Sequence, residues 1–459
     1  VLASATFLII LFWPDPSAEA VRRAAELNAS VLVVPPASPA PAAPPGIDVI
    51  TQVPVDSSAI ASAKSAGFRG VFIAAPEEES ALRALLKQHG AFIRFVSLAP
   101  RQAHWDVSPA QPAVRAGHWP GLQALDSAAG ATELPWINAN LHHYAWLEGF
   151  FPRRVPALDC DIPADTTQYE GAEILLSEAW AFGAPALLRL PEPYREALAK
   201  GDPRAAAAWD RLREVATFLR SLGKGAGSPA SSLAVLVPEW DEEYEEILNL
   251  AWRQQLSPRA LPLADFAPPS GLRLVAVPNR TPPPAVEQRL RQFASTGGIV
   301  LVAPEPGQPA DSWRAGARET VKEGTITVHR IGRGSVRVMD EPALDPFVFA
   351  LDLREQLGLD NPLGRGLHGL DVRIWHASTV LPVLRRAPDG SLVAVLIGYG
   401  RWIDHDFLAG ARGGFRSARL AQPGAAEATL RLMLRGGRVE WNQPGLRRIA
   451  AVTLEEAGR

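Results

Sequence analysis

Thr6-Phe7-Leu8-Ile9-Ile10-Leu11-Phe12-Trp13-Pro14-Asp15 is an apolar run closed by Pro and Asp, and an amphipathic stretch rich in Ala, Arg and Glu follows it at 17–27. An unbroken apolar strand has to be buried on both faces, which parallel pairing beneath a layer of helices provides. The same unit recurs. Further strand patterns lie at 31–34, 49–53, 70–74, 92–98, 135–138, 155–159 and 186–190, and helical patterns at 57–66, 78–88, 141–149, 169–182 and 203–221. Repeated strand–helix units imply right-handed crossovers, and about eight of them in 1–225 are the size of a (β/α)8 barrel. The stretch 99–132 has little helical signal, so the barrel is expected to be distorted or short of a helix there.

Gly223-Lys224-Gly225-Ala226-Gly227-Ser228-Pro229 breaks the pattern and is read as a boundary. A second α/β unit is expected over 230–342: strands at 233–237, 273–277 and 299–303, helices at 242–255 and 285–296, and a hairpin around Gly332-Arg333-Gly334. It is read as a small doubly wound domain. A connecting helix and linker fill 343–371. From 372 to 459, period-two alternation and turns such as Pro388-Asp389-Gly390 point to an antiparallel β-sandwich. The fold class is therefore α/β: a barrel, a doubly wound unit and a terminal sandwich.

Composition narrows the function. With 47% hydrophobic and 21% charged residues the chain is ordinary globular material. A net charge of −3 with no basic stripe argues against nucleic acid or an anionic membrane as partner. The single cysteine, Cys160, excludes an internal disulfide and a cysteine-rich zinc site. The apolar stretch 2–13 is too short to span a bilayer as a helix. Leu2-Ala3-Ser4-Ala5 could be the remnant of a removed export signal, so the compartment stays open between export and the cytoplasm.

The order barrel, doubly wound unit, sandwich resembles the multi-domain glycoside hydrolases of the β-galactosidase type. The segments that carry the resemblance are Phe12-Trp13-Pro14-Asp15, Leu134-Pro135-Trp136-Ile137-Asn138-Ala139-Asn140 and Ser177-Glu178-Ala179-Trp180-Ala181-Phe182-Gly183-Ala184. The last two look like segments of glycosidase-like barrels of bacteria. The closing Gly445-Leu446-Arg447-Arg448-Ile449-Ala450-Ala451-Val452-Thr453-Leu454 is similar to the final strand of hydrolase sandwiches. The resemblance implies a carbohydrate ligand, and a middle domain similar to class I glutamine amidotransferases through which copies of the chain could assemble. In that family an Asn-Glu pair ends the fourth strand and a Glu the seventh. Here the corresponding ends read Ala74-Ala75-Pro76-Glu77 and Leu158-Asp159-Cys160-Asp161. Residues 230–340 contain no cysteine, which excludes thiol-dependent glutamine hydrolysis.

Glycoside cleavage needs two carboxyl groups facing each other across the bond, placed at the C-terminal ends of barrel strands. Asp15, Glu77, Asp159, Asp161 and Glu192 meet that positional test. Asp15 and Glu77 also suit helix capping or a helical first turn. Asp159 and Asp161 are two residues apart, so on a strand they share one face. Glu77, Asp159 and Asp161 are the candidate catalytic set. Trp13, Asp15, Trp136, Asn138, Asn140 and His142 are the candidate sugar-binding set, because an aromatic face beside amide and imidazole groups suits a pyranose. The other reading of Trp136 is wall packing, and of Asn140 a helix cap. His142 and His143 fall on different sides of a helix, and no metal-ligand spacing or cofactor motif is present, so neither metal nor cofactor is expected. Tyr169, Glu170, Glu173 and Glu178 are expected on a solvated helix face. Trp375, Trp402 and Trp441 could make the sandwich a carbohydrate-binding module. The reading is thus of a glycosidase-like protein that acts on or binds a carbohydrate at the barrel's C-terminal face. The alternative is an inactive binding or assembly protein.

Overall fold

The computed structural model describes residues 6–122, 136–305, 313–358, 369–400 and 405–456. Eight parallel strands close into a barrel in chain order: β1 Ile9–Phe12, β2 Val31–Val34, β3 Asp48–Val53, β4 Val71–Ile73, β5 Ile93–Leu98, β6 Gln111–Val114, β7 Ala157–Leu158 and β8 Ala186–Arg189, with β8 returning to β1. Alternate residues fill the interior: Ile10, Phe12, Val31, Val33, Ile50, Phe72, Phe95, Ala113, Ala157 and Leu187 form one buried cluster. The barrel is thus plugged by side chains through its middle.

One strand differs from the sequence reading. The sixth position belongs to Gln111–Val114, not to the apolar run at 135–138. Ile137–Asn138 instead pairs antiparallel with Gly121–Leu122, outside the barrel. Gln111-Pro112-Ala113-Val114 lacks a branched apolar run, and only its last two residues are buried, so periodicity had nothing to detect. Between β5 and β6 the crossover is the single turn Pro100–Gln102, so the barrel lacks a helix there, as expected.

The helix layer is α1 Ala18–Glu26, α2 Ser57–Ser65, α3 Glu79–His89, α4 Leu141–Phe150, α5 Gly171–Ala181, α6 Glu192–Ala199 and α7 Pro203–Ser221. Ser17 caps α1 and Asp56 caps α2, each accepting backbone N–H groups. α4 and α5 are different from the rest. Every residue of α5 is buried, and so are Leu141 to Leu147 of α4. A helix without a polar face must be covered on all sides. Here the remaining two units supply the cover, and the expected solvated face of Glu170, Glu173 and Glu178 does not exist: they are 9%, 2% and 0% exposed.

In the doubly wound unit, Arg259–Pro262, Leu233–Val237, Leu274–Pro278, Ile299–Ala303 and Gly334–Met339 run parallel in that order, and Ile326–Ile331 and Glu319–Glu323 extend the sheet antiparallel. Its α8 Glu242–Arg253 follows the first strand. The sandwich packs a sheet built on Val380–Arg386, Leu392–Gly398, Ile449–Glu456 and Phe415–Ala421 against one built on Val372–Trp375, Phe407–Arg412 and Arg438–Gln443. Ser228–Pro229, read as a flexible break, adds to the edge of the first of these sheets beside Val380–Arg386. No helix among the described residues is long and apolar enough to cross a membrane.

α4 touches the strand Arg259–Pro262 through Gly149, where a Cβ would run into the carbonyl oxygen of Ala260. Beside it, Glu148 and Arg385 of the sandwich form a buried double hydrogen bond of 2.5 and 2.8 Å. In an open helix Ala would be favoured over Gly by up to about 1 kcal/mol. Here the obstacle is backbone, which cannot swing aside. Gly149→Ala is therefore expected to lower stability by about 1–3 kcal/mol, measured by chemical denaturation. Gly414→Ala, where an added Cβ meets nothing within 4 Å, is expected to stay within about 0.5 kcal/mol. Equal effects of the two substitutions would contradict this packing.

Candidate functional site

The C-terminal mouth of the barrel opens into a cleft of about 580 Å³ between the ends of β1, β2, β7 and β8, within the ~300–1,000 Å³ of a small-molecule site. Trp13 and Phe12 line one side, and Pro191 and Glu192 at the start of α6 line another. Gln52, Ile162, Arg189 and Arg195 complete the polar and apolar lining used below.

Arg189, in the lining, is held in an ion pair. Arg189 Nε donates to Asp159 Oδ1 at 2.8 Å and its Nη2 to Oδ2 at 3.3 Å, while Ser97 Oγ donates to Oδ2 at 3.3 Å. The guanidinium stacks 3.5 Å from the Phe12 ring centroid, and Phe12 meets Phe72 edge to face at 5.0 Å. The sheet dictates this arrangement. Ser97 lies on β5, Asp159 just past the end of β7 and Arg189 at the end of β8, each on the alternation that points inward. A guanidinium over a ring and in a two-point bond with a carboxylate is fixed in orientation. Both Asp159 oxygens are engaged.

The candidate residues fall in several places. Trp13 and Glu192 line the cleft, and Asp159, not itself among the lining residues, is bonded to Arg189, which is. Asp161 is exposed beside Ile162, with its backbone tied to Gly117 and Trp119. Asp15 is exposed and accepts the Ser17 N–H at 3.1 Å, just ahead of the α1 cap. Glu77 is exposed, precedes α3, and is not among the residues lining the cleft. Trp136 sits under Arg253, 4.8 Å from its ring centroid, and Asn138 lies in the short ladder with Gly121. His142 is buried in α4 with Nε2 3.6 Å from Glu245 Oε1 of α8. In the sandwich, Trp441 is wholly buried in the core, Trp375 carries Arg373 at 4.6 Å, and Trp402 lies outside the described residues. Arg189 and Ser97 are the site residues that sequence reading missed. The available signal was a lone Arg ending the apolar run 186–189.

Asn140 and Glu178 build the wall behind the mouth. Asn140 precedes α4 but its side chain does not cap it. It grips the backbone of His118 instead, accepting from N at 2.8 Å and donating to O at 3.0 Å. Glu178, fully buried, accepts from Asn140 N and Nδ2 at 2.8 and 2.9 Å and from Tyr399 Oη at 2.7 Å. Burial raises its carboxyl from 4.5 to about 7, against the lowering effect of those donors. The neighbouring Cys160 thiol is also raised, by burial first and then by Glu178, and is a poor nucleophile.

No family model matches the sequence, and no curated protein matches it. Solved structures do match in shape. Alpha-L-fucosidase isoenzyme 2 from Paenibacillus thiaminolyticus superposes with a TM-score of 0.55 at 8% identity, over 98% of this chain and 100% of the other. The polyextremophilic beta-galactosidase of the Antarctic haloarchaeon Halorubrum lacusprofundi does so with a TM-score of 0.50 at 12% identity, over 96% and 99%. The fold is shared with glycoside hydrolases. The likeness extends over nearly the whole chain.

The Glu178 carboxyl gives a pH test. Between about 4.5 and about 7 the folded chain holds a proton on Glu178 that the unfolded chain has released. Its contribution to stability is therefore full below the lower value and is lost as pH rises through the upper one. Urea midpoints at pH 5 and pH 7.5 should fall further for the parent chain than for Glu178→Gln. Glu173, also raised by burial, remains in both. An equal drop in the two proteins would show that Glu178 does not titrate in this window.

Proposed function

We propose that this chain is a glycosidase-like carbohydrate-binding protein whose saccharide site is the barrel-mouth cleft. The carrying observation is the combination of Trp13 and Arg189 in the lining of one cleft, with Arg189 held in place by Asp159. A sugar ring offers an apolar face for an aromatic and hydroxyls for oriented donors and acceptors. Gln52, Arg195 and Glu192 provide further polar groups around the rim. The whole-chain likeness to structures called a fucosidase and a beta-galactosidase supports the ligand class.

The same geometry favours recognition over hydrolysis. Cleavage needs two carboxyl groups facing across the bond, roughly 5–9.5 Å apart. Among the described residues that line the cleft, Glu192 is the one carboxylic acid. Asp159 spends both oxygens on Arg189 and Ser97, and Glu77 lies outside the lining.

Titration calorimetry with a panel of mono- and disaccharides, fucosides and galactosides first, is expected to find a ligand. Trp13→Ala should weaken it about tenfold, the worth of roughly 1.4 kcal/mol of stacking, and Trp375→Ala should leave it unchanged. Binding lost in Trp375→Ala and kept in Trp13→Ala would move the site to the sandwich. Turnover of aryl glycosides, abolished by Asp159→Asn, would replace recognition with catalysis.

A further inference from the structure

A second constellation lies where the barrel's α4 meets α8 of the doubly wound unit. His118 is in the loop after β6, His143 is on α4, and Glu245 is in the first turns of α8. One potential ligand atom from each lies within 4.8 Å of the others. His143 is 2% exposed, and neither of its ring nitrogens makes a hydrogen bond. A buried imidazole without a partner costs about 1–3 kcal/mol unless something else uses its lone pair. Trp240 lies flat against the ring at 5.1 Å, fixing its plane. The adjacent His142 comes to 3.9 Å from His143, ring to ring. Despite their different positions around the helix, both Nε2 atoms sit 3.6 Å from the same Glu245 Oε1.

We infer that His118, His143 and Glu245 form a binding site for a divalent transition-metal ion of the zinc class, clamping the doubly wound unit to the barrel. Two imidazoles and one carboxylate are a zinc-type donor set. Tetrahedral coordination with bonds near 2.0–2.1 Å asks for ligand atoms about 3.3 Å apart. Glu245 and His143 nearly meet that spacing. His118 is exposed, so its ring is free to swing the remaining distance, while the bonds from Asn140 hold its backbone in place. His142, beside Glu245, is placed to orient the carboxylate rather than to complete the set. The three ligands are 25 and 102 positions apart in the chain, which is why no ligand spacing shows in the sequence. The site is separate from the mouth cleft and does not depend on the carbohydrate reading.

The test is zinc itself, added to chelator-treated, full-length protein. Calorimetry is expected to give one zinc per chain at micromolar affinity or tighter, with a rise in melting temperature. Glu245→Gln, on a partly exposed side chain that does not endanger folding, should weaken binding roughly a hundredfold or more, at the top of the range for lost outer partners. His143→Ala should do the same, and His104→Ala, an exposed histidine elsewhere, should not. Substitution with Co²⁺ should give the intense visible bands of a tetrahedral ion, absent in Glu245→Gln. No saturable zinc binding, or binding indifferent to both Glu245→Gln and His143→Ala, would overturn the assignment. Zinc binding would survive even if no saccharide bound the mouth, so the two proposals fail separately.

Discussion

Two helices with no polar face, α4 and α5, govern this molecule. In a free-standing barrel their outer sides would meet water. Here their apolar residues continue into one buried cluster that includes Trp252 of the doubly wound unit and Tyr399 and Ile449 of the sandwich. Burial on that scale, at about 25 cal/mol per Å², makes the three units one body. It also forces the carboxyl groups on these helices to find partners. Glu148 finds Arg385, Glu178 finds Tyr399, and Glu173 finds Arg448 and Arg211. An unpaired charge in such a place would cost several kcal/mol. Each pair therefore fixes which residue of the sandwich or of the outer helix faces which turn of the inner ones.

The same wall positions the mouth. Asn140 stands between Glu178 and the backbone of His118, so the long excursion after β6 is tied to the buried helices at its return. Inside the barrel the layers are apolar up to Phe12 and Phe72, and charge enters with Asp159 and Arg189, to which the Ser97 hydroxyl adds a hydrogen bond. A carboxylate at that depth is satisfied by a guanidinium whose other face rests on a ring. This is a settled arrangement that presents fixed donors and acceptors to a ligand. A pair of acids waiting to exchange protons would need a freer carboxyl on each side of the substrate. The fold is shared with glycoside hydrolases, and the function proposed for its opening is recognition.

Much of the fold was legible in the sequence because seven of the eight barrel strands carry apolar runs, and because the turn residues of the sandwich mark its hairpins. β6 was hidden for a physical reason. Its residues are Gln, Pro, Ala and Val, and its place in the barrel comes from pairing with β5 and β7, not from its own composition. The apolar run nearby, at 135–138, drew the assignment instead. The burial of α5 was legible only in part: Glu170, Glu173 and Glu178 look like a water-facing row until the sandwich that covers them is known. Asp159 pointing into the mouth follows from strand alternation alone. Its partner Arg189, 30 residues on, does not, and neither does the meeting of His118 and His143 with Glu245. Contacts between units are set by packing that no local pattern encodes.

The most direct measurement is a crystal structure of the full chain grown with the saccharide that calorimetry ranks tightest. The account predicts a sugar ring stacked on Trp13, with hydroxyls within hydrogen-bond distance of Arg189 or Glu192 and the Asp159–Arg189 pair intact beneath it. A sugar bound elsewhere, with the mouth bare, would contradict the account. So would a ring seated so that Asp159 has left Arg189 to approach the anomeric carbon.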